Sequence, residues 1–67
     1  MIKNKRYPKD RSFLGCVCDS KGNPHYWDIF FWATKEDGVD KACFVDSGLF
    51  AMPKCIGWHE LPSLEES

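Results

Sequence analysis

Four cysteines are the residues of this chain with the most reactive side chains: Cys16, Cys18, Cys43 and Cys55. Together they could supply the thiolates of a structural zinc site, which would stabilise a small domain directly. Such sites usually present two close pairs of ligands, whereas only Cys16 and Cys18 are close in this sequence. The spacing therefore favours buried thiols, with a structural zinc-binding domain and a disulfide, for which three pairings exist, as the alternatives.

A thiol beside a histidine is the arrangement that could support nucleophilic catalysis here, because the nucleophile needs a positioned base. Cys55 and His59 are four residues apart, which places them on one face of a strand but roughly 13 Å from each other. The sequence contains no paired-carboxylate motif, glycine-rich phosphate loop or nucleophile elbow. We therefore predict that the protein is not an enzyme and uses no cofactor.

Four segments have the composition of β-strands, with aromatic or β-branched residues between clusters of turn formers. They cover residues 12–18, 25–33, 42–47 and 54–61, and residues 48–53 could add a short strand or a helical turn. No stretch has the apolar spacing of a long helix. The prediction is a mainly β fold: one small antiparallel sheet of four to five strands, curled or barrel-like, with little or no helix.

The charge is unevenly distributed along the chain. We divide it into a flexible basic N-terminus (residues 1–6), one small β-rich domain (7–62) and an acidic tail (63–67). A net charge of −1 gives no overall attraction to nucleic acid or to an anionic membrane. Because no signal peptide or membrane-spanning segment is visible, we predict a cytoplasmic protein whose thiols stay reduced.

The second predicted strand is aromatic on both of its faces, since side chains alternate along a strand. Trp27, Ile29 and Phe31 share a face that carries no charge, and we predict that this face belongs to the core. Trp58 and Leu61, near the end of the last strand, are predicted to pack there as well.

The opposite face of that strand carries Asp28 among its rings and is predicted to be partly exposed. A small core cannot hide all ten aromatic residues, and Trp and Tyr are enriched at protein interfaces. The predicted partner-binding rings are Tyr26, Phe30, Trp32 and Phe50, with a basic rim of Lys5, Arg6, Lys9 and Arg11. Aromatic residues on a sheet can also hold single-stranded nucleic acid, but Asp28 and the negative net charge disfavour that interpretation.

Two segments resemble the motifs of a family of short, uncharacterised phage and prophage proteins. Residues 7–17, YPKDRSFLGCV, resemble the family's P-K-D-G-T-x-x-L-G opening, and residues 56–66, IGWHELPSLEE, resemble its closing T-H-W-M-P-L-P-x-P. The resemblance spans residues 8–62. It implies a small β-rich domain encoded by a phage or mobile element, and it carries over no catalytic residues.

These observations predict a non-enzymatic accessory protein of phage type. In the host bacterial cytoplasm it would bind a host or anti-phage defence protein and inhibit or redirect it. The alternative is an oligomer that sequesters a small ligand, such as a nucleotide, between aromatic rings. Self-association is compatible with each of these functions, because a two-fold interface would hide surplus apolar surface.

Overall fold

The structure, a computed structural model, describes residues 1–62, and the predicted acidic tail lies outside the described residues. Its strands are β1 (Phe13–Cys18), β2 (Pro24–Ala33), β3 (Cys43–Val45) and β4 (Cys55–Glu60). All pair antiparallel in one sheet with the order β3-β2-β1-β4. The predicted mainly β, antiparallel fold is confirmed, but the sheet does not close into a barrel.

Helix is confined to one 3-10 turn, Lys35–Asp37, in the part of the chain that the structure describes. No helix in that part is long and apolar enough to cross a membrane.

Aspartate side chains close the tight turns of the sheet. Between β1 and β2, the Asp19 carboxylate accepts hydrogen bonds from the backbone N–H groups of Lys21 (2.9 Å) and Asn23 (3.0 Å). After β3, the Asp46 carboxylate accepts from the N–H groups of Gly48 (2.9 Å) and Phe50 (3.1 Å). Aspartate competes well for nearby backbone donors, which explains why β1 ends at Cys18 as predicted and why β3 ends at Val45, two residues earlier than predicted.

One face of the sheet, here called the core face, carries the main hydrophobic cluster. Its buried members are Phe13, Val17, Phe30, Cys55 and Trp58. Phe13 lies at the centre, with its ring 6.2 Å from the ring of Phe30 and 5.9 Å from that of Trp58, centroid to centroid. Because these residues come from three different strands, the cluster locks β1, β2 and β4 together.

The N-terminal segment covers the core face. The ring of Tyr7 stacks on Phe13 at 5.3 Å and meets the edge of Phe44 at 5.6 Å. Ile2 pairs with Trp58 through two backbone hydrogen bonds, of 2.8 and 2.9 Å, at the outer edge of β4. Within the N-terminus that was predicted to be flexible and basic, Ile2 is therefore hydrogen-bonded to the sheet.

The predicted assignment of the two faces of β2 is wrong. Trp27 is 46% exposed and Ile29 is 45% exposed, whereas Phe30, predicted to contact a partner, is 1% exposed in the core. The presence of Asp28 on the Phe30 face misled the prediction. The Asp28 carboxylate accepts a hydrogen bond from the backbone N–H of Ile29 (2.8 Å), so this charge is satisfied locally and does not keep its face out of the core.

Gly15 provides the space that Phe30 needs on the core face. A Cβ atom at position 15 would come within 2.6 Å of the Phe30 ring, closer than any real side chain tolerates. The ring therefore lies directly over the backbone of β1. The remaining core predictions are confirmed for Trp58, which is buried, while Phe31 and Leu61 are half-buried.

Candidate functional site

The second face of the sheet, here called the open face, exposes the side chains of Trp27 and Ile29 to solvent. Its row across β4, β1 and β2 consists of His59, Leu14 and Ile29, which are direct cross-strand neighbours. Ile29 and His59 are exposed, and Leu14 is half-buried between them. Adjacent apolar side chains in such a row form a continuous surface.

A second row on the open face runs beside the first. Gly57, Cys16 and Trp27 are cross-strand neighbours in this row. The side chain of Met1 fills the space above Gly57, and Trp27 reaches to 6.3 Å from the ring of His59, centroid to centroid. Cys16 is only 1% exposed, because it lies in the central strand with a large neighbour on one side and Met1 on the other.

The predicted partner-binding rings do not form one surface. Tyr26 (47% exposed) and Phe50 (73% exposed) are accessible, but Phe30 is in the core. Trp32 is half-buried, with its ring 4.8 Å from that of Phe44 and the Lys9 ammonium 4.2 Å above its face. Within one copy of the domain, Tyr26, Phe30 and Trp32 therefore do not form an exposed aromatic platform.

The predicted basic rim divides into two groups. Lys5 and Arg6 are exposed near the start of the chain. Lys9 is placed over Trp32, and the Arg11 guanidinium is bound on both sides, donating to both oxygens of Glu60 and, at 2.7 Å, to Asp10. The hydrogen bonds from Arg11 lower the pKa of the Glu60 carboxyl and raise that of Arg11 itself. This ion pair ties the chain entering β1 to the end of β4.

The four cysteines are free thiols. Cys16, Cys18 and Cys55 are buried, and Cys43 is half-buried. Within residues 1–62, no three Cys, His, Asp or Glu side chains are grouped closely enough to hold a metal ion. Burial raises the pKa of the Cys55 thiol to about 11, and the nearby thiols of Cys18 and Cys16 act in the same direction. A thiol with so high a pKa is a poor nucleophile at neutral pH.

A shallow cleft borders the open face where the N-terminal segment meets β2. It has a volume of about 230 Å³ and is lined by Lys9, Asp10, Arg11, Ser12, Phe31 and Trp32. Lys9 and Arg11 are already engaged by Trp32, Glu60 and Asp10. The cleft therefore offers a mixed, largely neutralised rim and not a concentrated anion-binding site.

Sequence reasoning missed the open face as a surface, although all of its residues were visible. The available signal was the pattern of β1: Phe13, Gly15 and Val17 alternate, and a glycine between two large core residues leaves room for a ring from the next strand. That ring is Phe30, which stands opposite Phe13 in the register. Assigning Phe30 to the core would have placed the side chains of Trp27 and Ile29 on the opposite, exposed face of β2.

Comparison of the chain with protein-family models, with curated proteins and with solved structures gave no match.

Proposed function

We propose that this protein is a non-enzymatic binding protein whose open face attaches to another protein. The single observation that carries the proposal is the exposure of Trp27 and Ile29, about half of each, side by side on the open face. Isolated exposed apolar residues are common, but neighbouring ones on a flat, rigid surface are typical of a recognition site. Tryptophan contributes most when a partner buries it fully.

The partner that fits best is a protein with an apolar patch. The open face offers Leu14, Trp27 and Ile29 as cross-strand or same-face neighbours. In keeping with the resemblance to phage proteins, we propose that the partner is a host or defence protein of the bacterial cytoplasm, which is inhibited or redirected when bound.

A photo-crosslinking experiment in bacterial cells tests this function. Ile29 and Tyr26 are replaced in turn by a benzophenone amino acid, because they are almost equally exposed but lie on opposite faces of β2. We expect a specific adduct with one host protein from position 29 and none with that protein from position 26. An adduct from position 26 and none from position 29 would place the binding site on the Tyr26 face, as the sequence predicts, and would overturn the proposed site.

The host protein identified by crosslinking is then purified in its unmodified form. Its affinity for the parent protein and for each variant is measured by calorimetry. We expect the variants Ile29→Lys and His59→Lys to bind at least tenfold more weakly, since each places a solvated charge in an apolar interface. Tyr26→Lys serves as the matched control and should bind within twofold of the parent protein. Equal affinities for all three variants would exclude the open face as the binding site.

A further inference from the structure

We propose that two copies of this chain pair edge to edge through β2, so that their sheets join into one eight-stranded antiparallel sheet. This inference is argued from the backbone groups at an edge of the sheet and does not rest on the proposed function.

The outer edge of β2 is unpaired along most of the strand. On its inner side β2 pairs with β1 from Pro24 to Phe30, but on its outer side β3 pairs only with Phe31, Trp32 and Ala33. Within residues 1–62, no strand lies beside the outer edge of residues 25–30. An uncovered stretch of this length is a template for another strand.

Local segments bridge the other edges of the sheet, at Phe44 and Val45 on β3 and at Trp58 on β4. Beyond β3, Met52 donates its N–H to the Phe44 carbonyl (3.0 Å), and Ala51 bridges to Val45. Beyond β4, Ile2 pairs with Trp58. Because a two-fold pair uses the same edge of both copies, pairing through β2 consumes this edge in each copy and gives a closed dimer, not a fibre.

The backbone groups that point toward the open edge can be assigned. The N–H of Ile29 donates to the Asp28 carboxylate and not to β1, so the backbone of Ile29 faces outward. The backbone groups of alternate residues in an antiparallel strand point in the same direction, so the N–H and C=O groups of Trp27 point toward the open edge as well. By the same alternation, the backbone N–H and C=O groups of Phe31 and Ala33 point toward β3. This agrees with the carbonyl of Phe44, which points away from β2.

These directions leave two registers for a two-fold pair centred on the open stretch. In the first, Trp27 stands opposite Ile29 of the second copy, and Asp28 stands opposite its own counterpart. In the other, Trp27 meets Trp27 of the second copy, and Asp28 stands opposite Tyr26. Like charges directly opposite each other are destabilising, whereas aromatic cross-strand pairs are favourable. We therefore assign the second register, in which the exposed apolar side chains of two open faces become neighbours.

The dimer is expected to be weak, because five residues of strand on each side bury less surface than a standard interface. Sedimentation equilibrium of the full chain, from about 10 μM to about 1 mM, spans the affinities of interfaces of this size. We expect a reversible monomer–dimer equilibrium. A protein that stays monomeric over the whole range would overturn the proposal.

Charge substitutions at position 26 test the register. Tyr26→Glu places two carboxylates opposite each other and should weaken dimerisation at least fivefold, while Tyr26→Lys places opposite charges together and should strengthen it. Trp27→Lys, which sets two lysines against each other at the two-fold axis, should dissociate the dimer. His59→Lys lies on the open face two strands away and should leave the dimerisation constant unchanged.

The opposite outcome is equally clear. A dimer that His59→Lys dissociates and Tyr26→Glu leaves intact would be a face-to-face dimer, and would overturn edge pairing.

Hydrogen exchange gives a second readout that does not depend on substitution. The Trp27 amide should become protected as the concentration rises, whereas an amide that exchanges equally fast in dilute and concentrated samples would contradict an intermolecular ladder.

Discussion

The two faces of this sheet carry similar residues but have different surroundings. Each contains a tryptophan, Trp58 on the core face and Trp27 on the open face, yet Trp58 is 6% exposed and Trp27 is 46% exposed. The difference lies in what surrounds them: Trp58 packs against Phe13 in a cluster that Ile2 and Tyr7 of the N-terminal segment cover, whereas Trp27 lies beside the exposed ring of His59. The region around Trp27 therefore remains accessible for binding.

The two tryptophans give the strongest test of this comparison. Trp58→Ala should reduce the free energy of unfolding by about 3–5 kcal/mol, as large-to-small changes in cores do. Trp27→Ala should change it by less than about 1 kcal/mol, as exposed substitutions do. Urea unfolding followed by circular dichroism measures both. Equal losses in the two variants would mean that the open face is as well packed as the core face.

The glycines give a test of intermediate size. Gly15→Ala forces a methyl group against the buried ring of Phe30 and should destabilise the protein by about 1–3 kcal/mol, as overpacked cores do. Gly48→Ala also brings a methyl group near a phenylalanine, but Phe50 is 73% exposed and can move away. Thermal unfolding of the pair should show a loss for Gly15→Ala and little change for Gly48→Ala. A fully stable Gly15→Ala protein would show that Phe30 does not lie across β1.

Thiol labelling shows how deeply each face is covered. In the parent protein, iodoacetamide should modify Cys43 first, because the other three thiols are buried. Trp27→Ala should raise the labelling rate of Cys16, its cross-strand neighbour on the open face, and leave that of Cys55 on the core face unchanged. Peptide mass spectrometry assigns each site. Faster labelling of Cys55 in this variant would indicate general loosening and not local uncovering.

The smallest effect concerns the ion pair between Arg11 and Glu60. Arg11 lowers the pKa of Glu60, so the folded state favours the carboxylate. The resulting stabilisation is complete above the unfolded-state pKa of about 4.3 and is lost as the pH falls through the lower pKa of the folded state. The melting temperature of Glu60→Gln should therefore fall slightly below that of the parent at pH 7 and converge with it in acid. A difference that grows in acid would contradict this sign.

The sequence predicts the strands well because their boundaries depend on local chemistry. Turn-forming side chains such as Asp19 and Asp46 bond to neighbouring backbone groups, and this tendency is visible in a few consecutive residues. All four predicted strands occur, and the third is shorter than predicted because Asp46 begins a turn immediately after Val45.

The faces could not be predicted from local chemistry. Both alternating sets of β2 are large and apolar, so the choice depends on which set meets Phe13, the space over Gly15 and the N-terminal cover. Asp28 led to the wrong assignment of the two faces, because the hydrogen bond that its carboxylate accepts from the next residue could not be foreseen. The candidate site was consequently placed on the wrong side of the right strand.

The placement of β4 beside β1 has a consequence for the order in which the protein folds. β1 and β2 are joined by a tight turn, but Trp58 must return to Asn4, 54 residues away, where its indole N–H donates to the side-chain carbonyl at 3.4 Å. Such distant contacts form late, because closing a long loop has a large entropic cost before any packing rewards it. We expect Trp58→Ala to accelerate unfolding and to leave the refolding rate nearly unchanged in stopped-flow measurements, whereas a slowed refolding rate would place β4 in the folding nucleus. Until β4 pairs with β1, Phe13 lacks its contact with the Trp58 ring, so the hairpin of β1 and β2 has an apolar edge that is open to unintended pairing with another chain.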